Sequence, residues 1–156
     1  MNRWHYLSIG SICAISGVAG CLSLIESDVQ LASITATNAG DEKRTIEIQV
    51  LDDGSEIQQS ELRLDSPELE DGRGRVLSTE TVECGWGSES KSYTLETRLD
   101  DEWETLDVAS KTDADCVFVV IRVGFSPGPD MGYRVYPCED LDASDEEFAC
   151  QFVDLD

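Results

Sequence analysis

Histidine is nearly missing from this chain: the one copy is His5, at the extreme amino terminus. Everything downstream therefore lacks Ser-His-Asp catalysis, Cys-His catalysis and any imidazole ligand for a metal. Basic residues are scarce as well, 11 Lys plus Arg against 33 Asp plus Glu, which leaves a formal net charge of −22. Nucleic-acid binding needs clustered Lys and Arg to neutralise phosphates, and docking to anionic headgroups needs the same, so the balance argues against both. No glycine-rich phosphate loop and no H-E-x-x-H stretch occurs. Helical periodicity is absent beyond residue 27, and no segment repeats another, so an array of modules is not expected.

What remains is globular in composition, 40% hydrophobic and 28% charged over 156 residues, enough for one ordinary domain with one core. Its charge repels itself at low ionic strength, where the Debye length is about 30 Å at 0.01 M, and is screened near 1 M salt, where it is about 3 Å. Lysine is confined to Lys43, Lys91 and Lys111. This replacement of surface lysine by Asp and Glu resembles the composition of haloarchaeal proteins, which implies adaptation to high salt.

Residues 1–20 read as a signal peptide: Arg3 gives a positive start, and Tyr6 to Ala19 is uncharged and mostly apolar or small. The stretch ends Val18-Ala19-Gly20-Cys21, which resembles the lipobox of bacterial and archaeal lipoproteins. The resemblance implies cleavage before Cys21 and attachment of membrane lipid to its thiol. Arg3 is followed by Trp4, so the twin-arginine export pattern is not met and the general secretory route is expected. A second reading stays open, because Trp4 to Ile25 contains no charged side chain other than His5 and is long enough to span a hydrocarbon core of about 30 Å without cleavage. Either way the positive end stays inside and the acidic chain lies outside, anchored at the extracellular face of the cell membrane. Residues 21–28 form a short tether, and residues 29–156 form the displayed domain with its acidic carboxy-terminal extension.

Strands dominate that domain. In Thr45 to Leu51, Ile46, Ile48 and Val50 point one way while Thr45, Glu47 and Gln49 point the other, the pattern of a strand buried on one face. Val29 to Thr37 is also strand-like, but its apolar phase slips between Leu31 and Ile34, which predicts a bulge. Further strands are expected at Glu56 to Leu64, Val76 to Val82, Ser92 to Leu99 and Trp103 to Val108, with a loop over Pro67 to Gly74. Cys116 to Phe125 is the most apolar run and the expected central strand. Turn chemistry every dozen residues or so predicts an all-β, antiparallel β-sandwich of about seven or eight strands. The series Ile34-Thr35-Ala36-Thr37-Asn38-Ala39-Gly40, Thr45 to Val50 and Asp52-Asp53-Gly54 resembles the opening strands of immunoglobulin-like domains in haloarchaeal surface lipoproteins and in prokaryotic adhesion-type repeats.

Of six cysteines, Cys13 falls in the leader and Cys21 at the lipidation position, so Cys84, Cys116, Cys138 and Cys150 remain for two disulfides in an exported domain. An antiparallel hairpin turning through Ser126-Pro127-Gly128-Pro129-Asp130 can place Phe118 opposite Tyr136 and Val119 opposite Val135. The same register sets Cys116 opposite Cys138. Cys84 then pairs with Cys150 by elimination and pins the tail. No two cysteines stand at short chelating spacing, so a metal site is not expected. The series Asp140-x-Asp142-x-Ser144-x-Glu146 alternates oxygen ligands as an EF-hand loop does, but Asp145 replaces the required glycine and Gln151 the bidentate glutamate.

Carboxylate pairs are abundant enough to occur on any solvated face, so they do not mark a hydrolase. Trp86, between Gly85 and Gly87, is expected in the core beside a disulfide rather than as a ligand platform; neither it nor Trp103 belongs to an aromatic cluster. The sequence thus predicts a non-enzymatic, membrane-anchored module for protein-protein interaction or envelope organisation, without a cofactor. Its partner would be an envelope protein. The alternative is a lipoprotein that captures a small ligand for a transporter or envelope enzyme, which so small a domain disfavours.

Overall fold

A computed structural model describes residues 28–142 and 149–151. Among the described residues, ten strands follow in chain order: β1 (Gln30–Asn38), β2 (Arg44–Asp52), β3 (Ser55–Leu64), β4 (Glu68–Glu70), β5 (Gly74–Val76), β6 (Ser78–Thr81), β7 (Tyr93–Leu99), β8 (Glu102–Asp107), β9 (Cys116–Val123) and β10 (Met131–Pro137). Among the described residues the helical elements are two single 3-10 turns, Ala109–Lys111 and Cys138–Asp140.

Eight of these strands build a sandwich of two four-stranded sheets. Sheet I has the order β10-β9-β1-β6 and sheet II the order β3-β2-β7-β8. Alternation decides which side chains meet between them. Val117, Val119, Ile121 and Val123 of β9 face Ile46, Ile48 and Val50 of β2 and Tyr93, Leu95 and Leu99 of β7 in one buried cluster. The period-two pattern of β2 is thus realised as expected, and that of Ser92 to Leu99 places Tyr93, Leu95, Thr97 and Leu99 inside.

One ladder departs from the expected antiparallel pairing: β1 runs parallel to β9 while pairing antiparallel with β6. Parallel neighbours need a long crossover, and here the chain makes all four strands of sheet II between β1 and β9. The segment expected as a loop over Pro67 to Gly74 instead closes a small hairpin of β4 and β5, which leaves Leu69 85% exposed. Arg75 holds the hairpin against the β1-β2 turn through the Ala39 carbonyl and the Asp41 carboxylate.

The predicted bulge lies between Leu31 and Ser33 of β1. A bulge interrupts the ladder, so its backbone groups need outside partners. The Leu31 carbonyl accepts the Trp86 indole N–H at 2.7 Å, and the Ala32 carbonyl accepts the Cys150 backbone N–H at 2.7 Å. Trp86 is 3% exposed, in the core as expected, although it reaches there from the β6-β7 connection rather than from a strand. At the other end of β1, buried Asn38 donates to the carbonyls of Glu42 and Asp65 and accepts the Gly40 N–H, locking the β1-β2 turn to the end of β3.

Candidate interaction surface

The two outer sheet faces differ in charge. On sheet II the outward positions include Glu47, Glu56, Glu61, Glu96 and Asp107, accompanied by Arg63, Arg98 and Trp103. Glu47 receives hydrogen bonds from both Gln59 and Arg98, and the Arg98 guanidinium lies 5.5 Å from the ring centre of Trp103. Trp103 is 45% exposed, so that face is acidic, hydrated and laced with ion pairs.

On sheet I the pairing registers put Phe118, Val120 and Arg122 of β9 on the same outer face as Gly132, Arg134 and Tyr136 of β10. Ser33, Thr35 and Thr37 of β1 and Thr79 and Thr81 of β6 complete it. None of these positions carries a carboxylate. In a chain with 33 acidic residues in 156, a whole sheet face without one departs from the chain's own composition. Ser33 and Thr35 are buried, so the accessible part is the β9-β10 side, where Tyr136 is 38% exposed. Phe118 stacks on Tyr136 with ring centres 5.0 Å apart, and Thr37 and Thr79 share a hydrogen bond across β1 and β6. Cross-strand pairs of this kind fix a flat, semi-apolar platform.

At one corner of the platform the β9-β10 connection, Gly124 to Asp130, folds beside Arg122 and Arg134. It borders an open cleft of about 340 Å³ whose walls include Phe125, Pro127, Gly132 and Tyr133. The Arg122 guanidinium sits 3.9 Å from the centre of the Phe125 ring. Tyr133 is turned toward the core and donates its hydroxyl to the Glu104 carbonyl at 2.9 Å. Burial pushes its phenol up to about 12, with the charges of Glu104 and Glu96 acting in the same direction, so the wall it forms stays neutral. Beyond Pro129 a second cavity, of about 230 Å³, is lined by Asp100, Glu102, Glu104 and Asp130.

The sequence-predicted sites fall as follows. Val18, Ala19, Gly20 and Cys21 lie outside the described residues. Cys116 and Cys138 are bridged, with Cα atoms 5.4 Å apart, and Cys84 and Cys150 are bridged at 5.8 Å. Both registers used for the pairing are present, Phe118 opposite Tyr136 and Val119 opposite Val135. The two bridges fix both ends of the segment from Cys138 to Cys150 against sheet I. Ser144 and Glu146 of the cation-like series lie outside the described residues. Among the described residues no group of three or more His, Cys, Asp and Glu converges as metal ligands would, and no helix is long and apolar enough to cross a membrane. Sequence reasoning singled out neither Arg122 nor Arg134. The signal available was the hairpin register itself, which sets Arg134 opposite Val120 in a stretch free of acidic residues from Cys116 to Pro129.

No protein-family model and no curated protein matches this chain. Among solved structures, a protein of Bacteroides ovatus described with cell adhesion aligns over 69% of this chain and 44% of its own length, at 11% identity and a TM-score of 0.30. The chain thus spans less than half of that protein, and a likeness so low transfers neither fold nor function.

Proposed function

We propose that this chain is a non-catalytic binding module, displayed at the outer face of a cell membrane by a lipid on Cys21, which engages another envelope protein through the outer face of sheet I. The observation that carries this reading is the carboxylate-free platform of Phe118, Val120, Arg122, Arg134 and Tyr136 on a domain of charge −22. Protein interfaces are enriched in aromatic residues and arginine and depleted of Asp and Glu at their centres, which is the composition of this face and not of its opposite. Display outside the cell rests on the lipobox and on the two disulfides, which belong to an oxidising compartment.

Two measurements test the two halves. Cys21→Ser should release the protein from the membrane fraction or leave the precursor uncleaved; unchanged processing and anchoring would refute lipidation. Val120→Glu places a carboxylate at the centre of the platform without touching the core. Affinity capture from solubilised envelopes should recover a partner with the parent protein and lose it with Val120→Glu, and recovery of the same partner by both would refute the surface assignment.

A further inference from the structure

Most cations among the described residues are paired with carboxylates. Lys43, Arg44, Arg63, Arg73, Arg75, Lys91 and Arg98 each meet a carboxylate at ion-pair distance. Among the described residues Lys111, Arg122 and Arg134 do not, and two of these three lie together. Gly132 is the register partner of Arg122 and Val120 that of Arg134, so the two arginines occupy diagonal positions on one face of the β9-β10 ladder. Like charges side by side repel, and a chain rich in carboxylates could have neutralised them with one substitution nearby. Instead the cavity of about 340 Å³ opens between them with no acidic residue in its walls.

The geometry points to a binding site for a carboxylate borne on an acidic peptide segment of the partner, held between Arg122 and Arg134; this rests on the reading of sheet I as the binding face. Arginine presents a planar fork that meets a carboxylate with two parallel hydrogen bonds. Phe125 already backs the Arg122 guanidinium, which orients it and limits the rotamer freedom lost on binding. Gly132 keeps the floor open: a Cβ built there would meet nothing within 4 Å. The ring chemistry separates a peptide from an anionic sugar. A sugar ring stacks on an aromatic face, whereas here Arg122 already covers one face of Phe125 and Tyr133 is directed to the core. Pro127 and Pro129 supply instead the small apolar wall that suits an extended peptide.

The test is fluorescence anisotropy of rhodamine-labelled hexaglutamate with the full chain in detergent, at about 0.15 M ionic strength, where charges beyond about 8 Å are largely screened. Saturable binding is expected, weakened at least about tenfold by Arg122→Ala or Arg134→Ala. Gly132→Leu, which fills the cavity and leaves every charge in place, should weaken it similarly, while Lys111→Ala should leave it within about twofold. An equal loss with Lys111→Ala would reduce the effect to net charge and overturn the site. So would unchanged binding in Gly132→Leu, or saturable binding of oligogalacturonate without binding of hexaglutamate. If hexaglutamate binds as expected but no envelope partner is captured, the pocket stands and the wider reading falls. A partner lost with Val120→Glu and retained with Arg122→Ala and Arg134→Ala would leave the face and remove the pocket.

Discussion

Replacing Cys84 and Cys150 together with Cys116 and Cys138 by alanine is expected to unfold the domain in conditions where the parent is stable. The Cys84–Cys150 bridge closes a separation of 66 residues and Cys116–Cys138 one of 22. In the chain-entropy picture these are worth about 4 and about 3 kcal/mol. Whole domains of this size are stable by only about 5–15 kcal/mol, so losing both removes a large share of the total. The longer bridge should matter more, because Cys150 also delivers the backbone N–H that satisfies Ala32 at the bulge. Urea unfolding of the Cys84→Ala/Cys150→Ala and Cys116→Ala/Cys138→Ala pairs at one fixed salt concentration measures this. Equal midpoints for the parent and both variants would contradict it.

The next largest effect is expected at Trp86. Truncating a buried aromatic side chain typically removes about 3–5 kcal/mol, and Trp86→Ala should fall at the upper end because it also strands the Leu31 carbonyl at the bulge. Trp86→Phe should lose less, since most of the volume stays and only the indole hydrogen bond disappears. The same variants have an optical signature. Trp86 is buried and Trp103 is exposed, so removing Trp86 should shift the emission of the folded domain to longer wavelength and Trp103→Phe should shift it to shorter wavelength. Thermal or urea unfolding followed by circular dichroism gives the stability, and a Trp86→Ala midpoint equal to that of Trp103→Phe would deny Trp86 its place in the core.

Much of the fold was legible because local alternation encodes it. The inward set of β2, the inward set of β7, the bulge after Leu31 and the Phe118-Tyr136 register all follow from spacing along one or two neighbouring strands. The disulfides followed from that register, since geometry left one pairing for Cys116. The parallel β1-β9 ladder was not legible, because pleat alternation is the same for either strand direction and these strands are far apart in sequence. The β4-β5 hairpin was hidden by its composition: Glu68 to Glu70 and Gly74 to Val76 pack on no core, so no apolar face marks them. The platform on sheet I was invisible for a third reason. Its members come from β1, β6, β9 and β10, and a face without carboxylates exists only once those distant segments lie side by side.

The position of β1 has a mechanical consequence. β1 lies inside its sheet rather than at an edge, with β9 along it from Gln30 to Asn38 and β6 on its other side from Thr35 to Asn38. Tension arriving from the amino-terminal side runs along the axis of β1, so both ladders are loaded in shear and their rungs share the force. An edge strand pulled sideways would instead peel open one rung at a time. The loaded end is also where Trp86 and the bridged Cys150 clasp Leu31 and Ala32, so slippage must break those clasps first. A force along β1 therefore meets both ladders and these clasps together, rather than one rung at a time.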